Sequence, residues 1–144
     1  MRHLSTAATV LLVAAIAACS SSTTADVSAP AQTNTTTTQR EVGKATMKIG
    51  DSIVMGELRL TFRSVERDSR CPIDAACVWA GDAEIALKIE QANRAAVAAL
   101  HTMLEPKKTN WNGYTVSLVT LTPVRTASTA VDPAAYRAQV LVTR

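Results

Sequence analysis

Beyond residue 46 the chain alternates apolar and polar positions in short runs. Leu58, Leu60 and Phe62 are separated by Arg59 and Thr61, and Ile85, Leu87 and Ile89 by Ala86 and Lys88. Tyr114, Val116 and Leu118 flank Thr115 and Ser117, while Tyr136, Ala138, Val140 and Val142 carry the pattern to the C-terminus. A period of two places one set of side chains on a core and the other in water, as a half-buried strand requires. Met47-Lys48-Ile49 opens the series. Turn-forming residues fall between the runs: Gly50-Asp51, Gln91 to Arg94, Asn112-Gly113 and Asp132-Pro133. Asn112-Gly113 is the clearest of these, because both residues tolerate the positive φ of a type I′ hairpin, so Trp111 and Tyr114 are expected to flank an antiparallel turn.

Arg94 to Leu104 is open to two readings. Val97, Leu100 and Leu104 among many alanines fit a helical stripe, yet Val97, Ala99, His101 and Met103 also alternate. The strand is preferred, because Ile85 to Ile89 needs an antiparallel neighbour and the Gln91 to Arg94 turn supplies one. Short strands at this spacing without helical spacers predict an all-β domain. The expected form is a small antiparallel β-sandwich or barrel-like fold of about 6–8 strands.

The first 39 residues do not fit that domain. Met1 to Ala18 begins with Arg2 and His3, runs through an apolar stretch and ends in small residues before Cys19, the order of a secretory signal peptide. The apolar run is too short to span a bilayer as a helix, which takes about 20 residues. Ile16-Ala17-Ala18-Cys19 resembles the bacterial lipobox. That resemblance implies cleavage before Cys19, lipidation of its thiol, palmitate among the acyl chains, and a protein anchored to the lipid bilayer without spanning it. Ser20 in place of a retention-type Asp implies the outer membrane, facing the periplasm, if the source is Gram-negative. From Ser20 to Gln39, 11 of 20 residues are Ser or Thr and none is aromatic, so this segment cannot bury a core. The expected division is therefore a signal peptide over residues 1–18, lipidated Cys19 with a disordered tether over 19–39, and a β-domain over 40–144.

Charge changes the picture little. Fifteen Lys and Arg against twelve Asp and Glu give +3, with no basic run longer than Lys107-Lys108, so no nucleic-acid partner is expected. With Cys19 assigned to lipid, Cys71 and Cys77 remain, and in an exported protein they are expected to form a disulfide stapling a stiff loop between two strands.

Asp68-Ser69-Arg70-Cys71-Pro72, four residues, and then Cys77-Val78-Trp79-Ala80-Gly81-Asp82-Ala83 resembles a motif of small exported bacterial proteins, many of them lipoproteins, without an assigned function. Leu104-Glu105-Pro106, Gly113-Tyr114, Leu121-Thr122-Pro123 and Tyr136-Arg137-Ala138 extend the likeness, and relatives resemble a strand over the segment matching Ala95 to Thr102. The likeness implies no activity. Within the motif, Trp79 is expected to cover the sulfurs and fill the core, Gly81 to permit a bulge or a close backbone approach, and Asp68 and Arg70 to bond turn amides or each other. These are read as structural roles. Arg70, Pro72, Ile73 and Asp74 form the candidate recognition loop, pre-ordered by the cystine as inhibitor loops are.

Other chemistry is sparse. In the mature protein His101 is the only histidine that a Ser-His-Asp or Cys-His site could use, and there is no Gly-x-Ser-x-Gly nucleophile elbow. The Cys-x5-Cys spacing is wider than zinc sites use. Asp68, Asp74 and Asp82 cluster around the loop but lack a calcium-loop pattern and read as solvated turn residues. The chain is thus expected to be a lipid-anchored, non-enzymatic binding or structural module of the cell envelope, without cofactor or metal, meeting an envelope protein. Two alternatives are a protease inhibitor or ligand-recognition protein acting through the Cys71–Cys77 loop, and a periplasmic copper-binding protein using Met47, Met55, Met103 and His101.

Overall fold

The computed structural model describes residues 39–144. The expected signal peptide, Cys19 and the expected tether as far as residue 38 lie outside the described residues. Eight strands follow in chain order: β1 Glu41–Lys48, β2 Ser52–Met55, β3 Leu58–Asp68, β4 Ala83–Gln91, β5 Arg94–His101, β6 Lys108–Trp111, β7 Tyr114–Thr122 and β8 Arg137–Thr143. One 3₁₀ turn, Pro133–Ala135, precedes β8, with Asp132 accepting from the Ala134 amide at 2.9 Å.

The strands form two four-stranded sheets, ordered β1-β8-β7-β6 and β2-β3-β4-β5, and every pairing is antiparallel. The second sheet is a continuous meander. The first is a meander of β6 to β8 whose free side at β8 is taken by β1, so the chain leaves one sheet and returns to it after building the other. The expected all-β, sandwich-like architecture is the observed one.

The core is the inward set of the period-two runs. Leu58, Leu60 and Phe62 of β3, Ile85, Leu87 and Ile89 of β4, and Val116, Val140 and Val142 of the facing sheet are buried together with Met47. Each large apolar side chain fully withdrawn from water contributes about 2 kcal/mol. Glu84, Lys88 and Glu90 alternate with them on the outer face, where Lys88 Nζ meets Glu90 Oε1 at 2.8 Å.

The ambiguous alanine-rich segment is a strand: Ala95 to Leu100 pair with Glu90 to Ile85 of β4. Asn112 and Gly113 both adopt positive φ, 45° and 81°, as the type I′ reading required. The sequence pattern places the opening of the sheet at Met47, whereas β1 starts at Glu41. Its outer half, Glu41 to Ala45, is only partly covered, so little alternation was needed there. The unanticipated β2 has four residues, of which only Met55 is buried.

The two ends of the sandwich differ. At one, Arg40 and Arg144 exchange reciprocal backbone hydrogen bonds of 2.8 Å, close to Gly56 and Tyr114. The other lies where Asp68 of β3 faces Ala83 of β4 and Thr122 of β7 faces Arg137 of β8. The cystine loop between β3 and β4, the β5–β6 loop and the β7–β8 connection gather there.

Candidate functional site

The cystine end is built from residues that sequence distance would keep apart. Asp68 closes β3, and its carboxylate receives Arg70 twice, Nε to Oδ1 at 2.8 Å and Nη2 to Oδ2 at 2.7 Å. Tyr136 Oη donates to the same Oδ2 at 2.9 Å. Arg70 also reaches the carbonyls of Leu121 and Pro123, and Arg125 Nη1 donates to the carbonyl of Arg70 at 2.9 Å. Burial opposes charge on Asp68, but the bonds from Arg70 and Tyr136 outweigh it and hold the carboxyl below its ordinary value. Burial and the Asp68 carboxylate push the Tyr136 hydroxyl in the other direction, upward.

Cys71 and Cys77 are joined, their Cα atoms 6.0 Å apart. The loop they close is tied to the β7–β8 connection by Ile73 N to Arg125 O at 3.0 Å and by Ala127 N to Asp74 Oδ1 at 2.7 Å. Its base is a short two-strand ladder, Ser69 N to Asp82 O at 2.7 Å and Cys71 N to Ala80 O at 2.8 Å. Gly81 sits in that ladder at φ +70°, and a Cβ there would lie 1.9 Å from the Ser69 carbonyl oxygen. The close approach expected of Gly81 is therefore real, and only glycine fits it.

A second carboxylate fastens the neighbouring loop. Asp82 Oδ2 meets His101 Nδ1 at 2.6 Å, while Oδ1 accepts from Thr102 Oγ1 at 3.0 Å and the Met103 amide at 2.8 Å. Burial disfavours its charge, yet the Met103 amide, His101, the Leu104 amide and Thr102 together pull it down to about 2. Asp68 and Asp82 are thus not the solvated turn residues that their loop position suggested; their side chains are 8% and 13% exposed. Each has its lone pairs taken by donors, which compensates removal from water.

Trp79 does not fill the core. It is 82% exposed, and in the same β3–β4 loop Val78 is 92% and Ile73 69% exposed. The physical reason is position: the ladder of Ser69 and Cys71 with Ala80 and Asp82 continues beyond the last core layer at Ala83, so residues at its tip have no facing sheet to pack against. Trp79 instead walls a groove of about 410 Å³ with Met103, Leu104, Gly81 and Ser69. Exposed apolar side chains collected in this way mark contact surfaces.

The candidate recognition residues divide. Ile73 is displayed, and Pro72 is partly covered. Arg70 is spent on Asp68 and on backbone carbonyls, and Asp74 on the Ala127 amide. Of the copper candidates, Met47 is in the core, Met55 lies against Gly43, His101 is held by Asp82, and Met103, 53% exposed, lines the groove beside Trp79. Ser69, which shares a groove with His101, donates its hydroxyl proton to the Asp82 carbonyl at 2.9 Å rather than offering it to the imidazole.

The Asp82–His101 contact and the roles of Thr102, Arg125 and Tyr136 were missed. A usable signal existed for the first, since counting away from the Gln91 to Arg94 turn sets Glu84 opposite His101 and brings Asp82 alongside. No protein-family model matches this chain, and no curated protein or solved structure matches it either.

Proposed function

We propose that this chain is a bacterial envelope lipoprotein, lipidated at Cys19, whose β-domain is a non-enzymatic binding module that meets a protein partner through its cystine end. The observation that carries the reading is the exposed apolar tip of Ile73, Val78 and Trp79 on a frame fixed by the disulfide, two buried carboxylates and the Gly81 close approach. Ordering of that surface is complete before any partner arrives, which lowers the entropic cost of association. The chain enters the fold at Gln39 and Arg40, at the opposite end of β3 and β7 from this tip. The expected tether of about 20 residues has a reach of roughly 25 Å, enough to hold the domain clear of lipid headgroups.

The inhibitor reading remains as a second proposal because Ile73 is displayed from a loop whose main chain is pinned at Arg125 and Ala127. Both readings are tested by recovering partners from envelope extract with the full-length chain, wild type beside Trp79→Ser and Ile73→Ser. A partner lost with Trp79→Ser supports the groove, and a protease lost with Ile73→Ser supports the inhibitor loop. Equal recovery by all three proteins rejects the cystine end as the contact surface. Mass spectrometry of the native N-terminus tests the anchor, which an unmodified Cys19 would exclude.

A further inference from the structure

Of the four sheet edges, three are blunted. β1 carries Lys44 and Lys48 and is broken by a bulge between Glu41 and Gly43, whereas β2 and β6 have only four residues each. β5 has none of these protections. It runs for eight residues in unbroken register with β4, and between Arg94 and His101 it contains only Ala, Val and Leu. Such an edge is a template for another strand.

The orientation of its free backbone groups can be worked out. Thr102 N bonds Ala83 O on the β4 side, whereas His101 N turns away to Pro106 O. In an antiparallel ladder the bonded and unbonded pairs alternate, so Ala95, Val97 and Ala99 direct N–H and C=O outward. The sequence around the middle one is a palindrome, Ala95-Ala96-Val97-Ala98-Ala99. We propose that two copies of this chain pair through β5, antiparallel, about a two-fold axis at Val97.

In that register Val97 faces Val97 of the second copy, and Ala95 faces its Ala99. All three outward-directed residues then exchange both bonds with their opposites, about six hydrogen bonds in all. Symmetry and hydrogen-bond phase agree, since the palindrome is centred on a residue whose groups point outward. An isologous contact sets like against like, which suits small neutral side chains and would penalise charges. The charges bordering the edge are already matched or held. Lys88 is paired with Glu90, while Arg94 lies over the Trp111 ring at 5.6 Å and donates to Asn112 Oδ1 at 3.1 Å. Val97 itself is 58% exposed and awaits cover.

The test uses the full-length chain in mild detergent at micromolar concentration, with the protein mass read by light scattering. Wild type is expected at twice the mass of one chain and Val97→Lys at half that, with unchanged circular dichroism. Under mild oxidation Val97→Cys is expected to cross-link to itself, and Ala95→Cys faster to Ala99→Cys than to itself, with Val54→Cys on β2 as the collision control. Single-chain mass for wild type, a dimer unaffected by Val97→Lys, or cross-linking at residue 97 no faster than at residue 54 overturns the proposal. So does a cross-link from residue 97 to a different protein, which would make β5 the docking edge for an extended segment of that partner.

Discussion

Tyr136 and Asp68, 68 residues apart in sequence, meet at 2.9 Å through Oη and Oδ2, and so join the start of β8 to the end of β3 across the two sheets. The same carboxylate holds Arg70, which reaches the carbonyls of Leu121 and Pro123 at the end of β7. One buried oxygen pair thus ties the base of the cystine loop to the end of β7 and the start of β8.

Asp68→Asn leaves the Arg70 guanidinium with no counter-charge in a site where its side chain is 14% exposed. The expected loss is about 3 kcal/mol, read from urea unfolding. A loss below about 0.5 kcal/mol would show that water takes over the role of the carboxylate.

Asp82 gives the domain an acid limb. Its carboxyl is at about 2 in the fold against an ordinary 3.8, so the unfolded chain binds the proton more tightly and low pH favours unfolding. The stabilisation is complete above the ordinary carboxylate range and fades as pH falls from about 5 toward 2. In Asp82→Asn the midpoint of thermal unfolding should be lower at neutral pH and change less over that window. Parallel curves for variant and wild type would remove Asp82 as the source.

Gly81→Ala sets a methyl against the Ser69 carbonyl at a positive φ and should cost more than about 2 kcal/mol, opening the ladder under the cystine. Gly50→Ala is the control. It shares the positive φ but meets open space, so only backbone strain of about 1 kcal/mol is expected.

Trp79→Ala should leave the unfolding midpoint within about 0.5 kcal/mol of wild type, since so little of the ring is covered. Replacing both Cys71 and Cys77 by Ser should cost about 2 kcal/mol, the value for a short closed loop. A large loss with Trp79→Ala would return that ring to a structural role.

The fold was legible because each inward run, such as Ile85-Leu87-Ile89, had polar neighbours that fixed its period. Ala95 to Leu100 was less so: alanine suits either structure, and only the turn before it and the demand of β4 for a partner decided in favour of a strand. β2 was hidden because a four-residue edge strand with one buried side chain leaves almost no pattern. The site divided along a physical line. Gly81 and the Asp68–Arg70 pair follow from local geometry and were legible, whereas Trp79 was misjudged because residue type suggests burial but only topology says whether a second sheet reaches that far. Tyr136 and Arg125 enter from a connection more than 50 residues away, which no local motif announces.

The Arg40–Arg144 clasp has a practical consequence. Both termini of the folded part leave from one side, so a chain captured on a sensor surface by a C-terminal tag presents Trp79 and Ile73 outward, in the same attitude as a chain held from its N-terminus. Binding measured on such a surface therefore samples the cystine end, and the tag can be chosen for convenience without hiding the tip.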